Sequence, residues 1–178
     1  MGDGASNGAG TKPLVLVTVG TDAYPFGRLI GWVDSWLAGG AASRVHCVVQ
    51  HGTAPPAQHG DSRAYFDFHD LETLVADAEV VVAHGGPGTI MLCADRNKKP
   101  IVVARLPEYG EVVDGHQVQF ARRLDAEGEI ALVESEQALH ATLDQFLADP
   151  SIVRLGRNNG RNSSAVVRFE ELVNGLFE

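Results

Sequence analysis

The stretch "VVVAHGGPGTIM", residues 80 to 91, holds the side chains with the most evident chemistry in this sequence. An imidazole, His84, ends an apolar run; Gly85, Gly86 and Gly88 follow it, and Thr89 adds a hydroxyl. Imidazole and hydroxyl both hydrogen-bond anionic oxygens. Glycines let a backbone approach a ligand closely, and the free N–H groups and dipole of a helix opening at about Gly88 favour negative charge. A phosphate suits that combination. The same residues also suit a tight turn whose glycines serve only helix–strand packing while the backbone satisfies His84, and so short a motif does not separate the two readings. Gly20 and Thr21, followed by Asp22, form a second glycine turn after an earlier apolar run. Two such turns on one sheet edge fit a diphosphate better than one, although Thr and Asp are also ordinary turn residues. The spacing GxxxxGK[ST] is missing, and "VGTDAYPF" stands where GxGxxG would follow the first strand, which disfavours nucleoside triphosphate and nicotinamide sites.

These turns need a frame. "LVLVTV" (14–19) is a continuous β-branched run stopped by Gly20, which predicts a strand covered on both faces. Similar runs at "RVHCVVQ" (44–50), "AYFDF" (64–68), "EVVVAH" (79–84), "PIVVA" (100–104) and "EIALV" (129–133) bring the expected strands to six. Helical spacing lies between them: Phe26, Leu29, Ile30, Val33 and Leu37; Leu71, Leu74 and Val75; Ile90, Met91 and Ala94; Val118, Ala121 and Leu124. Alternating strands and helices predict an α/β fold, an open, doubly wound parallel sheet with helices on both faces and ligands at the carboxyl ends of the strands. Two helices close the chain, about 135–148 and 163–176. The second carries Ala165, Val166, Phe169, Leu172, Val173 and Leu176 as one apolar stripe, facing this domain or a partner. Residues 1–12 lack apolar periodicity and read as a flexible arm, leaving 14–178 as a single domain.

Composition narrows the function. Apolar residues at 44% and charged ones at 21% describe an ordinary globular protein. Fourteen basic against 23 acidic residues give a net charge of -9, which repels a nucleic-acid backbone. Arg154, Arg157, Arg161 and Arg168 form the one basic cluster, read first as a solvated helix face. No run is long enough to span a bilayer and the start "MGDGASNGAGTKP" is not that of a signal peptide, so the expected location is the cytoplasm. Cys47 and Cys93 lie in apolar stretches without CxxC spacing and are expected as buried free thiols. The histidines, His46, His51 and His59 among them, lack zinc-site spacing, and no acidic pair sits near the glycine turn; no metal or cofactor is expected.

The order of motifs resembles a known family. "VTVGTD", "FHDLETLVADAEVVVAHGGPGTIM", "KKPIVVA" and "DGHQVQFARRLDAEGEI" are together similar to the donor-binding, C-terminal half of GT-B glycosyltransferases. Within that family the likeness is to the lipid II N-acetylglucosaminyltransferase C-terminal domain and to the small subunit of split dolichol-linked or exopolysaccharide transferases. The resemblance implies that Gly20, Thr21, His84, Gly85, Gly86, Gly88 and Thr89 cradle the donor diphosphate. It implies that Phe68, at the end of the third strand, contacts the uracil base through its backbone, and that Asp114, His116 and Gln117 contact the donor sugar. Asp114 is also placed to cap the helix "HQVQFARRL". The family commonly has a Glu eight residues after the His, bonding the ribose; here Leu92 stands there, with Asp95 three residues on. Loss of that charged acceptor costs about 1.5–3 kcal/mol of nucleotide affinity, and Leu92→Glu is expected to restore it.

A GT-B enzyme needs two domains facing one cleft, and this chain supplies one. The resemblance therefore implies the UDP-sugar-binding half of an inverting glycosyltransferase, working with a membrane-associated acceptor-binding subunit that recruits it to the membrane surface. A homo-oligomer is also compatible. The apolar stripe of 165–176 is the candidate partner contact, and the loop 105–115, with Glu108, Glu111 and Asp114, is either a lid that closes over the donor or, as is commoner, a merely solvated loop. Catalytic residues are not assigned. Three alternatives stand beside this reading: a non-catalytic binding or regulatory subunit with a degraded donor site, a nucleotide-sugar epimerase-like domain, and the isolated donor half of a longer transferase.

Overall fold

A computed structural model describes residues 11–113 and 115–155. The run "LVLVT" forms β1 (Leu14–Thr18) because a strand puts successive side chains on opposite faces and every one of them here can be covered. Val15 and Val17 face one side and Leu16 the other, each with no exposed surface. Parallel partners flank it: β2 (His46–Gln50) pairs Val17 with Val49, and β4 (Val80–Ala83) pairs Val17 with Val82. With β3 (Asp61–Arg63), β5 (Ile101–Val102) and β6 (Ala131–Leu132), the sheet has six strands in the order β3-β2-β1-β4-β5-β6. This is the doubly wound order, with the reversal between β1 and β4.

Helices cover both faces. On one, α1 (Gly27–Ala38) buries Leu29, Ile30, Val33, Trp36 and Leu37 beside α5 (Glu136–Ala148), whose Leu139, Leu143 and Phe146 join the same core as Val15, Val17, Val80 and Val82. Polar ties fix that pair: the Trp36 indole donates to Asp144 at 3.2 Å, and His140 Nε2 lies 2.8 Å from the Trp32 carbonyl. Ser135 caps α5 by accepting from the Ala138 N–H. On the other face, α2 (Phe68–Asp77) and α3 (Pro87–Asp95) close Val75, Leu92 and Cys93 over Leu16, Val48 and Val81. A third cluster sets Phe120, Ala121 and Leu124 of α4 (His116–Ala126) against Val102 and Ile130. Lys98 donates from Nζ to the carbonyls of Ala76 and Ala78, ending α2; burial lowers its pKa.

The expected α/β fold is what forms, with shifts at the element ends. The third strand is the polar Asp61-Ser62-Arg63, not "AYFDF" (64–68), which instead connects to α2. An edge strand needs no apolar alternation, because only one of its sides is paired and little of it is covered. Its Asp61 receives His46 Nε2 at 2.8 Å from the neighbouring strand. The helix after the glycine turn begins at Pro87, a residue ahead of Gly88, since proline suits the first helical position. Cys47 and Cys93 are buried and free, with burial pushing each thiol up to about 12. Of the arm, all but Thr11 and Lys12 lies outside the described residues; so do the closing helix expected at 163–176 and Arg157, Arg161 and Arg168.

Candidate functional site

α1 and α3 leave β1 and β4 toward opposite faces of the sheet, so their first residues part and a crevice opens at the carboxyl end. His84 sits at the end of β4 in that opening. Its ring lies between two glycines of different turns. A Cβ placed on Gly20 would stand 2.5 Å from His84 Cε1, and one on Gly86 would meet Nε2 more closely still. The glycines at these two positions therefore make room for an imidazole of this chain. Gly20 (φ 75°) and Gly85 (φ 86°) also hold left-handed backbone that other residues resist.

The turn after β1 is tightly held. Thr18, fully buried, donates its hydroxyl to Gln50 Oε1 at 2.7 Å and accepts the Gly20 N–H at 3.2 Å, while Gln50 Nε2 donates to the Gly20 carbonyl at 3.3 Å. The Gly20 amide is thus committed within the protein, and exposed Thr21 is the part of this turn that meets solvent. Across the crevice, Gly86 caps α3 and the first helical N–H groups, at Gly88 and Thr89, have no acceptor within their own helix. Thr89 is buried at 8% exposure, whereas Gly88 is open.

His84 Nδ1 is enclosed and has no hydrogen-bond partner. Burial, then the nearby Arg105 guanidinium, lower the ring to about 4 from 6.5, against the opposing pull of the Thr18 backbone and Asp22. The folded protein thus holds His84 neutral, while the unfolded chain takes up a proton below about pH 6.5. Stability from this residue is complete above that pH and falls as pH drops toward 4, by about 3 kcal/mol at most. Urea unfolding of wild type and His84→Asn at pH 7 and pH 4.5 checks this: the wild type should lose more stability than the variant, and equal losses would contradict it.

Sequence reasoning missed the residues that brace the crevice. Arg105, fully buried just after β5, donates from Nη1 to the carbonyls of Tyr24 (2.7 Å) and Glu111 (2.9 Å) and from Nη2 to that of Val19 (2.8 Å). Its guanidinium lies 4.8 Å from the centre of the Phe26 ring. Glu111 accepts from Arg28 twice, at 3.0 and 2.7 Å, and from the Leu106 N–H at 3.0 Å. At 3% exposure it is a brace, which corrects its assignment to a movable lid or solvated loop. A lone arginine ending the apolar run "PIVVAR" was the available signal for Arg105.

The other expected site residues stand as follows. Phe68 is the first residue of α2, not the end of a strand, and is 71% exposed. The N-cap of α4 is Gly115, and Asp114, the residue expected to cap this helix, lies outside those described. His116 opens α4, and the Oε1 of Gln117 behind it is buried without a partner. Leu92 is 8% exposed in the core formed with Val75 and Val81. A carboxylate there enters an apolar cluster, so Leu92→Glu should lower stability by about 2–4 kcal/mol instead of restoring ribose contact; a chemical denaturation midpoint unchanged from wild type would contradict this. Among the described residues no group of three metal-binding side chains converges, and no helix is long and apolar enough to cross a membrane.

Doubly wound topology with a glycine-walled crevice at its switch point defines a Rossmann-like domain of the kind that forms half of a GT-B fold. Residues 14–167 match the glycosyltransferase family 28 C-terminal domain, and the chain belongs to that family. No curated relative matches the sequence. Among solved structures, the fold is similar to that of the kitacinnamycin glycosyltransferase (TM-score 0.63, 17% identity, 99% of this chain and 43% of that one). It is similar to ALG13, solved by NMR, over 92% of this chain and 98% of that one, with a TM-score of 0.57 and 16% identity. The molybdenum cofactor carrier protein of Chlamydomonas reinhardtii shares it too, at TM-score 0.51, 18% identity, and 78% and 99% coverage. At such identities the likeness is one of fold. The chain spans 43% and 40% of the lengths of the kitacinnamycin and calicheamicin (CalG4) transferases.

Proposed function

We propose that this chain is the donor-binding half of an inverting glycosyltransferase, that the crevice between β1 and β4 holds the diphosphate of a UDP-sugar, and that a separate, membrane-attached subunit in contact with it at the cytoplasmic surface supplies the acceptor. The observation that carries this reading is His84, seated between Gly20 and Gly86 with one ring nitrogen unpartnered. Buried polar groups rarely stay unsatisfied. A neutral imidazole and the free amides of Gly88 and Thr89 form a donor set for phosphate oxygens. In this reading Gln117, with His116 and Asp114, contacts sugar hydroxyls, and the Phe68 backbone contacts the base.

The reaction is displacement at the anomeric carbon. An acceptor hydroxyl forms the new glycosidic bond as the bond to the diphosphate breaks, its proton passing to a base on the other subunit. Charge grows on the leaving diphosphate, and preorganised amides and His84 stabilise it there more than in water. Thermal denaturation with UDP-, GDP- and dTDP-sugars tests the reading. A UDP-sugar at a hundred times its dissociation constant should add about 2.7 kcal/mol of stability, with smaller effects from the others; midpoints unmoved by all three contradict it.

One observation favours a second reading, a non-catalytic nucleotide-binding subunit: Leu92 is buried where the family carries a ribose-binding carboxylate. UDP binding without sugar transfer in the presence of the acceptor subunit would select it. Product analysis with a UDP-sugar alone separates both from an epimerase.

A further inference from the structure

Arg105 has no part in the steps above, yet it is fully buried, and its hydrogen-bond acceptors are three carbonyls, two from the loop after β1 and one from the loop after β5. The Glu111 carboxylate, on the same loop, is taken up by Arg28 and the Leu106 amide. The Asp22 and Glu111 carboxylates act on the Arg105 charge without bonding it, burial opposes them, and a guanidinium enclosed in that way is costly unless its charge is used. Its Nε is buried without a partner as well.

We propose that Arg105 is a positioning residue of the anion site: by holding the Val19 and Tyr24 carbonyls against that of Glu111, it fixes the slot in which His84 lies and sets a buried positive charge beside the ring. The ligand named here rests on the diphosphate reading, but the slot and the charge belong to the protein itself. The groups facing His84 are Arg105 from the segment after β5, Asp22 and Gly20 from the turn after β1, the Thr18 backbone, and Gly86 at the start of α3. Arg105 disfavours a charged ring and Asp22 favours one, with burial deciding for the neutral form. An incoming diphosphate adds negative charge on the Asp22 side of that balance, so anion binding raises the pKa of the ring while leaving it neutral at pH 7. Lysine at 105 would keep the charge but not the planar fork that spans three carbonyls. Glutamine would keep donors and lose the charge.

The test is the pH titration of the His84 Cε1 proton by NMR in the full chain, alone and with inorganic pyrophosphate, for wild type, Arg105→Lys and Arg105→Gln, with circular dichroism checking the fold. Wild-type His84 should stay neutral to below about pH 5 and titrate about one unit higher with pyrophosphate. Arg105→Gln should titrate nearer the ordinary histidine value. Arg105→Lys should keep the ring low while weakening pyrophosphate about tenfold. A folded Arg105→Gln whose His84 titrates as in wild type overturns the proposal. If that variant does not fold, unchanged pyrophosphate affinity in Arg105→Lys overturns it instead. Wild type that ignores pyrophosphate also overturns it. UDP failing to bind while pyrophosphate and His84 behave as stated removes the uridine reading and supports the role of Arg105.

Discussion

Alanine in place of Gly86 should reduce UDP affinity at least about a hundredfold, near 2.7 kcal/mol, while the fold persists. The backbone itself permits the change, because Gly86 has φ -69° and ψ 136°, a conformation open to any residue. The obstacle is the His84 ring, whose Nε2 occupies the space the new methyl needs. The ring has no retreat on its other side, where even a Cβ at Gly20 would stand 2.5 Å from Cε1. It must leave the slot, and the phosphate loses a preorganised partner. Overpacking should also lower stability by about 1–3 kcal/mol. Calorimetric titration with UDP, beside a thermal melt, reads both effects. Affinity equal to wild type would show that His84 does not contact the ligand.

The largest stability effect is expected at Glu111. Replacing it with alanine leaves Arg28 without its carboxylate and frees the Leu106 amide, and the pair is well enclosed, with side-chain exposures of 15% and 4%. Removing one partner of such a pair costs about 3–5 kcal/mol. The exposed pair Arg122–Glu134 is a control: its oxygen and nitrogen are 2.9 Å apart, but both side chains are over half exposed, so Glu134→Ala should cost less than about 1 kcal/mol. Urea unfolding of the two variants tests the contrast. Similar losses at both positions would mean that the brace carries no special load.

The parts of the fold readable in the sequence are those built from local pattern. β1 and β4 announce themselves because both faces are covered and β-branched residues fill them without interruption. α1 and α5 show their buried stripes at helical spacing. The third strand was misplaced because "AYFDF" has the composition of a strand and Asp61-Ser62-Arg63 does not, yet only the latter lies beside β2. Edge pairing is decided by the neighbouring strand, which local sequence does not display.

The site divides the same way. The glycines and His84 were visible as a motif, but the reason for Gly20 and Gly86 was not, since it depends on two turns far apart in the chain meeting around one ring. Arg28 and Glu111 are separated by 83 residues, and neither has a neighbour in sequence that marks it as paired. Leu92 was read as an altered ligand contact from the motif alone; its burial became apparent only when α2 was laid over α3.

The claim on which the functional account turns is tested most directly by following backbone amide resonances of the full chain during titration with UDP. The account predicts that Gly85, Gly86, Gly88 and Thr89, with Thr21 across the crevice, shift most and saturate together. Shifts gathered instead at the open depression lined by Arg122, Asp125 and Glu134, or none at all, would contradict it.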